Sequence, residues 1–156
     1  QLRELMDSTY KAALELYDNS NDELDGYNLV IKIGDKLIKL NVSEPALLER
    51  VAKALVNKGC TLLLLEKKED SQKTFSSIIE TFSAHQELNI QVCMVVALAG
   101  LERFNEAVPL LQQLAQKDKQ QAKNCIQDLE LLSSAPQASE GMRQFLEEAK
   151  KILGVV

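Results

Sequence analysis

The chain has 156 residues, enough for one domain with a continuous core, and its formal net charge of −5 argues against a nucleic-acid surface, which needs clustered Lys and Arg. Three prolines, six glycines and no tryptophan, in a chain rich in Leu, Ala, Glu, Lys and Gln, favour helix over strand. The longest uninterrupted apolar run, 92–101, is too short to cross a bilayer, so we expect no membrane insertion.

The three cysteines, Cys60, Cys93 and Cys125, form no C-x-x-C pair and lie within apolar helical patterns. We interpret them as buried small hydrophobic side chains in a reducing compartment, which predicts a cytoplasmic location, rather than as disulfide, metal or catalytic residues. The start of the sequence shows no signal-peptide pattern. It begins at Gln1 rather than at a methionine, which suggests a piece of a longer protein.

The first 45 residues predict two helices, over about 2–17 and 25–40, separated by the polar residues 18–22. In the second helix, Val30, Ile33, Leu37 and Leu40 recur at spacings of three and four. Residues 29–40 also alternate in part, so a strand over 27–40 is the alternative. Gly34 weakens either interpretation.

The rest of the chain predicts six amphipathic helices, over about 45–65, 67–82, 87–101, 105–116, 122–132 and 137–153. Ser43 and Pro45 are typical of a helix start, and Asn105 is the expected cap of the sixth helix. The fifth helix is apolar almost all round from Val92 onward. A helix of that kind has to be covered on both sides, as in an interior repeat.

A small residue recurs at a near-constant interval along this part of the chain. Ser71, Ala107 and Gly141 lie 36 and then 34 residues apart. Each has a bulky apolar residue four positions later and a leucine nine positions earlier: Phe75, Leu111 and Phe145, and Leu62, Leu98 and Leu132. A period near 34 with this layout is typical of a helix–turn–helix repeat.

With this layout the chain resembles the tetratricopeptide repeat family. The family's pattern falls in three units on the following residues: Gly59, Leu62, Ser71, Phe75 and Ile78; Leu98, Ala107, Leu111 and Leu114; and Leu129, Leu132, Gly141 and Phe145. The third unit fits in spacing but is degenerate in residue type, and the segment 51–63 looks most like bacterial members. The family's usual tryptophan is absent, and the proline that ends many units is missing after the fourth and sixth helices.

The resemblance implies an all-α fold, a right-handed superhelix (solenoid) of antiparallel helical hairpins with about eight helices. The expected single domain, 1–156, divides into an irregular N-terminal hairpin over 1–45 and repeat units over 46–85, 86–118 and 119–153. An unrelated α–α superhelix or a helical bundle is the alternative, because other helical-hairpin families share the small-residue position.

In the family, the first helix of each unit lines a concave groove. Carried over by position, this implies partner contacts from Lys53, Val56, Asn57, Cys60, Asn89, Val92, Cys93 and Val96. One branch of the family binds acidic chaperone C-termini through a clamp of Lys, Asn and Arg, which Lys53 and Asn57 match only in part. Val56 and Cys60 replace a Lys and an Asn, so we expect no carboxylate clamp and a groove for an apolar or mixed peptide or helix. The alternative is that Lys53 and Asn57 only face solvent and that the valines are core.

The sequence offers no arrangement typical of catalysis. It contains no G-x-S-x-G motif and no Gly-rich phosphate loop, and the single histidine, His85, is predicted as a surface residue in a polar turn. The prediction is therefore a non-catalytic protein–protein interaction scaffold that needs no cofactor or metal and binds another protein or peptide. The alternative is a structural spacer or oligomerisation module, with homo-oligomers formed end to end.

Overall fold

The computed structural model describes residues 2–16, 21–40 and 44–155, which form eight helices and no strand. The helices are α1 (Leu2–Leu16), α2 (Asn21–Lys39), α3 (Pro45–Leu64), α4 (Lys68–Phe82), α5 (Leu88–Gly100), α6 (Phe104–Ala122), α7 (Cys125–Ser134) and α8 (Glu140–Leu153). The prediction of an all-α chain with about eight helices is confirmed. In this described part of the chain, no helix is both long enough and apolar enough to cross a membrane.

The strand alternative for 27–40 is wrong, because α2 is helical from Asn21 to Lys39. Val30, Ile33 and Leu37 are buried along one face of this helix. Gly34 lies where α2 meets α3, since a Cβ atom added there would be only 2.3 Å from Val51 Cγ2. The glycine that weakens the helical pattern is therefore the point of close approach between two helices.

Consecutive helices pack in pairs: α1 with α2, α3 with α4, α5 with α6, and α7 with α8. Contacts between α2 and α3, α4 and α5, and α6 and α8 join one pair to the next. In addition, α3, α5 and α7 all contact one another. The first helices of the three C-terminal pairs therefore gather around a common space, and α1 reaches the edge of it through its contacts with α3.

In the first repeat unit, the small residue packs within its own helical pair and its bulky partner packs between two pairs. The Ser71 hydroxyl donates a hydrogen bond to the Gly59 carbonyl (2.7 Å), and the Phe75 ring lies between α3 and α5. A Cβ atom at Gly59 would be 2.6 Å from this ring, and one at Gly100 would be 2.4 Å from it. Real Cβ atoms do not come so close, so glycine on both sides makes room for Phe75.

The turn between α3 and α4 has the same backbone geometry as the turn between α5 and α6. Glu66 (φ 62°) and Glu102 (φ 57°) are both left-handed, and they are 36 residues apart. The residue that follows each glutamate donates its N–H to the helix that has just ended, Lys67 to Leu62 O and Arg103 to Leu98 O, both at 2.9 Å. This is the pattern of a Schellman motif.

One predicted helix start and one predicted helix end are wrong. Asn105 is not the cap of α6, because the carbonyl of Arg103 already accepts the N–H groups of Glu106 and Ala107, and α6 begins at Phe104. The polar residues 117–121 do not end α6 completely either. The backbone leaves helical geometry at Asp118, and its carboxylate caps a further turn by accepting the Gln121 N–H at 3.1 Å. The expected capping residue Ser43 lies outside the described residues.

Candidate functional site

A groove of about 480 Å³ lies between α3, α5 and α7, with contributions from α1 and α2. All eight residues predicted as partner contacts line it: Lys53, Val56, Asn57, Cys60, Asn89, Val92, Cys93 and Val96. The structure thus brings the eight together in one concavity. Their role in binding a partner stays a prediction.

The apolar members of this set form the floor of the groove and belong to the core at the same time. Val56 and Val96 are each only 1% exposed, and Val92, Cys60 and Cys93 are also buried. The alternative in which the valines are core therefore describes their burial correctly. The accessible walls are formed instead by polar side chains, by Leu131, which is 36% exposed, and by the half-buried Leu14.

Lys53 and Asn89 of the groove lining meet at the carboxylate of Glu49, which does not itself line the groove. The ammonium of Lys53 lies 2.9 Å from Glu49, and the Asn89 amide donates to the same Glu49 oxygen at 3.1 Å. Asn89 in turn accepts a hydrogen bond from the Gln121 side chain. Burial would raise the pKa of Glu49, but the hydrogen bonds from Lys53 and Asn89 outweigh this and lower it. A short polar chain therefore links α3, α5 and the end of α6.

Asn57 connects α3 to α1. Its amide donates to the Tyr10 hydroxyl at 2.9 Å, while the Arg50 guanidinium lies 4.4 Å from the centre of the Tyr10 ring and 3.2 Å from Asp7. Burial raises the pKa of Tyr10 to about 12. Neither Lys53 nor Asn57 simply faces solvent, since both are half-buried and bonded within the chain.

Glu23 and Tyr27 of α2 line the groove next to α1. The Tyr27 hydroxyl donates to the Glu23 carboxylate at 2.6 Å, and both side chains are buried. This pair holds one negative charge at the N-terminal side of the groove.

Asp128 is the groove residue with the most unusual surroundings. It is half-buried on α7, close to the thiols of α3 and α5, and no described residue forms a hydrogen bond or an ion pair with its carboxylate. Burial raises the pKa of Asp128 to about 6, against the opposing effect of the Lys53 ammonium. Burial, and then the charge of Asp128, raise the pKa of Cys93 and Cys125 to about 12 and that of Cys60 well above its ordinary value.

The sequence reasoning missed the contribution of α7 and its N-cap residue, which consists of Asn124, Gln127, Asp128 and Leu131. Each of these lies 35 residues after a predicted groove residue of α5, in the order Asn89, Val92, Cys93 and Val96. Those in turn lie 36 residues after Lys53, Val56, Asn57 and Cys60. Carrying the groove positions over to the third predicted unit would have found all four only with an interval of 35, whereas the interval of 34 between Ala107 and Gly141 leads to positions one residue earlier.

His85 is half-buried rather than exposed, because its ring packs edge-on against Phe82 with 5.5 Å between ring centres. Its Nδ1 atom is enclosed and has no hydrogen-bond partner among the described residues. Across residues 2–16, 21–40 and 44–155, no three His, Cys, Asp or Glu side chains are placed to hold a metal ion. Cys60, Cys93 and Cys125 are buried free thiols.

Comparisons of the chain with protein-family models, curated proteins and solved structures found no significant match. What the groove does is therefore inferred from its own residues. They offer a preformed concave surface with an apolar floor, amide-bearing walls and three charged side chains, Glu23, Lys53 and Asp128. Such a surface suits recognition of another molecule.

Proposed function

We propose that the chain is a non-catalytic interaction module that binds a peptide or helix of a partner protein in the groove between α3, α5 and α7. One observation carries this proposal. Residues selected at a repeat interval of 36 and then 35 positions, four from each of three helices, line the same concavity of about 480 Å³. A repeat protein that exposes equivalent positions along one inner face has the usual form of a peptide-binding scaffold.

We further infer that the helical pairs form a right-handed solenoid related to tetratricopeptide repeats. Support comes from the Phe75 ring between Gly59 and Gly100, and from the repeated turns at Glu66 and Glu102. In the third unit, Gly141 lies close to the Phe104 ring, which stacks on Phe145. The three buried free thiols support a reducing compartment, and hence the cytoplasm, as the place where the protein acts.

Binding would rely on preorganisation. The Lys53–Glu49–Asn89–Gln121 chain and the Asn57–Tyr10 hydrogen bond hold the groove walls before a partner arrives. A wall that is already ordered loses little conformational entropy on binding, which favours affinity.

The proposal is tested by affinity capture from a lysate with the purified chain as bait, in wild-type form and as Leu131→Glu. Leu131 is exposed on the groove wall, so the substitution changes the groove and leaves the core intact. Gln112→Glu, at an exposed position of α6 outside the groove, is the charge-matched control. We expect a protein that is retained by the wild type and by the Gln112 variant and is reduced at least about tenfold with Leu131→Glu. Equal retention by all three baits would contradict a groove-binding function.

A structural spacer or oligomerisation module is the second candidate, and one observation favours it. Three of the four exposed large hydrophobic side chains of the described residues, Leu5, Leu29 and Leu40, belong to the N-terminal pair. Leu29 lies in α2, and Leu40 is the residue directly after the end of this helix. Light scattering separates the candidates, because a dimer mass that Leu29→Glu converts to a monomer mass would support association through this end.

A further inference from the structure

We propose that the groove selects a basic side chain, a lysine or arginine of the partner peptide. Its aliphatic stem would pack on Leu131 and the valine floor, and its cation would pair with Asp128. This inference rests on the peptide-binding function proposed above and specifies the chemistry of its ligand.

Of the three charged side chains that line the groove, only Asp128 is left to pair with a ligand, as far as the described residues show. Lys53 is already 2.9 Å from Glu49, and Glu23 accepts the hydroxyl of Tyr27 at 2.6 Å. Within the described residues, Asp128 has neither a hydrogen bond nor an ion pair. The lining charges, Glu23, Lys53 and Asp128, also sum to −1. Charge complementarity therefore favours a cationic side chain and disfavours an acidic one.

Burial makes this pairing effective. The Asp128 carboxylate is half-buried next to the groove floor, where fewer water molecules screen it than on an open surface. Pairing with a cation offsets part of the free energy that the carboxylate lost when folding removed its water. A charge-assisted hydrogen bond is also stronger than a neutral one. Burial raises the pKa of this group to about 6, so most of the carboxylate is charged at neutral pH.

The walls favour a basic residue within a peptide over a free small amine. Leu131 follows Asp128 by three residues on α7, so the two side chains are neighbours on one helix face and fit a long stem with a charged end. Asn124 and Gln127 line the same side of the groove and are exposed. Their amide groups can both donate to and accept from a peptide backbone.

The test uses a phage-displayed library of random 12-residue peptides, selected at pH 7.5 on the wild-type chain, on Asp128→Asn and on Glu130→Gln. Asparagine keeps the shape of the aspartate, and Glu130 is an exposed acid on the same helix that does not line the groove. We expect the wild type and the Glu130 variant to enrich peptides with a lysine or arginine next to aliphatic residues. The Asp128 variant should lose that basic preference. Circular dichroism melting establishes that both variants are folded.

The strongest peptide is then synthesised with its basic residue and with glutamine in its place, and titrated by calorimetry. Glutamine should weaken binding about tenfold or more to the wild type and less than about threefold to Asp128→Asn. If peptides are enriched without a basic preference, or if the glutamine effect is equal on both proteins, the pairing with Asp128 is refuted while groove binding stands. If no protein enriches any peptide, the groove-binding function fails as well.

Discussion

At the level of single residues, the chemistry of the groove depends on which polar groups already have partners. Lys53 and Asn57 look like ligand-binding residues in the sequence, yet each forms a bond within the chain, to Glu49 and to Tyr10. The Asn57 bond ties α3 to α1, while the Lys53–Glu49 pair lies within α3. Asp128 has no such bond among the described residues, and it is the residue on which the proposed selectivity depends.

Asp128 should make the protein less stable as the pH rises. Its pKa is about 6 in the folded chain against an ordinary value of 3.8, so between these values the folded state binds more protons than the unfolded state. Stability from this group is thus present below about pH 4 and is lost as the pH rises through 6. We expect Asp128→Asn to raise the free energy of unfolding by about 1–3 kcal/mol at pH 7.5 and to have little effect at pH 4.

The measurement is urea unfolding of the wild type and the variant at both pH values. Glu130→Gln is the control, because that exposed acid on the same helix should show no such difference between the two pH values. An Asp128→Asn variant that is less stable than the wild type at pH 7.5 would show that the carboxylate has a stabilising partner.

At the level of helices and turns, the repeat is expressed in the backbone as well as in the side chains. The turns after α3 and α5 share a left-handed residue and the same closing hydrogen bond. In both turns the left-handed residue is a glutamate, although glycine is the residue that this conformation favours. These two turns therefore carry backbone strain that substitution of the glutamate by glycine can remove.

Glu66→Gly is expected to stabilise the chain by about 0.5–1 kcal/mol, since glycine adopts a φ of 62° without a Cβ clash. Thermal and urea unfolding measure the change, and Glu102→Gly should behave alike because its φ is 57°. The matched control is Glu130→Gly in the middle of α7, which should cost about 1 kcal/mol. A loss of stability in both turn variants would mean that the glutamate side chains themselves stabilise the turns.

At the level of the whole molecule, the contact between α3 and α7 sets the shape of the groove. In a simple row of hairpins each unit meets only its neighbours. Here the first and third C-terminal pairs touch, so α3, α5 and α7 surround the groove together. The N-terminal pair has its own apolar cluster, which includes Tyr27 and Val30 and reaches α3 at Leu47 and Ala54.

This arrangement predicts an order of local stability. Amides of α3 and α5 should exchange most slowly with deuterium, because these helices are covered on several sides, and amides of α1 should exchange fastest, because α1 packs mainly on α2. Hydrogen-exchange mass spectrometry at pH 7 measures this order. Equal protection of α1 and α3 would show that the N-terminal pair unfolds together with the rest.

Spacing along the chain was sufficient to predict the eight helices, whereas eight of the groove residues were predicted from the resemblance to tetratricopeptide repeats. Apolar side chains at intervals of three and four specify a helix and its buried face, and a period near 35 puts equivalent residues on the same side of successive hairpins. These are local properties. The start of α6 was mispredicted because the Arg103 carbonyl, rather than the Asn105 side chain, accepts the first N–H groups of the helix, those of Glu106 and Ala107.

The state of each groove residue depends on contacts between residues that are far apart in the chain. Tyr10 reaches Asn57 across 47 positions, and Asp128 comes near enough to Lys53 and Cys60 for electrostatic influence only because α7 packs against α3. Burial and pairing are properties of the packed molecule, since they arise from the removal of water by distant segments. For this reason the sequence, through its resemblance to a repeat family, indicates two of the helices that line the groove, while the packing of α1 and α7 onto α3 decides which of its charges stays unpaired.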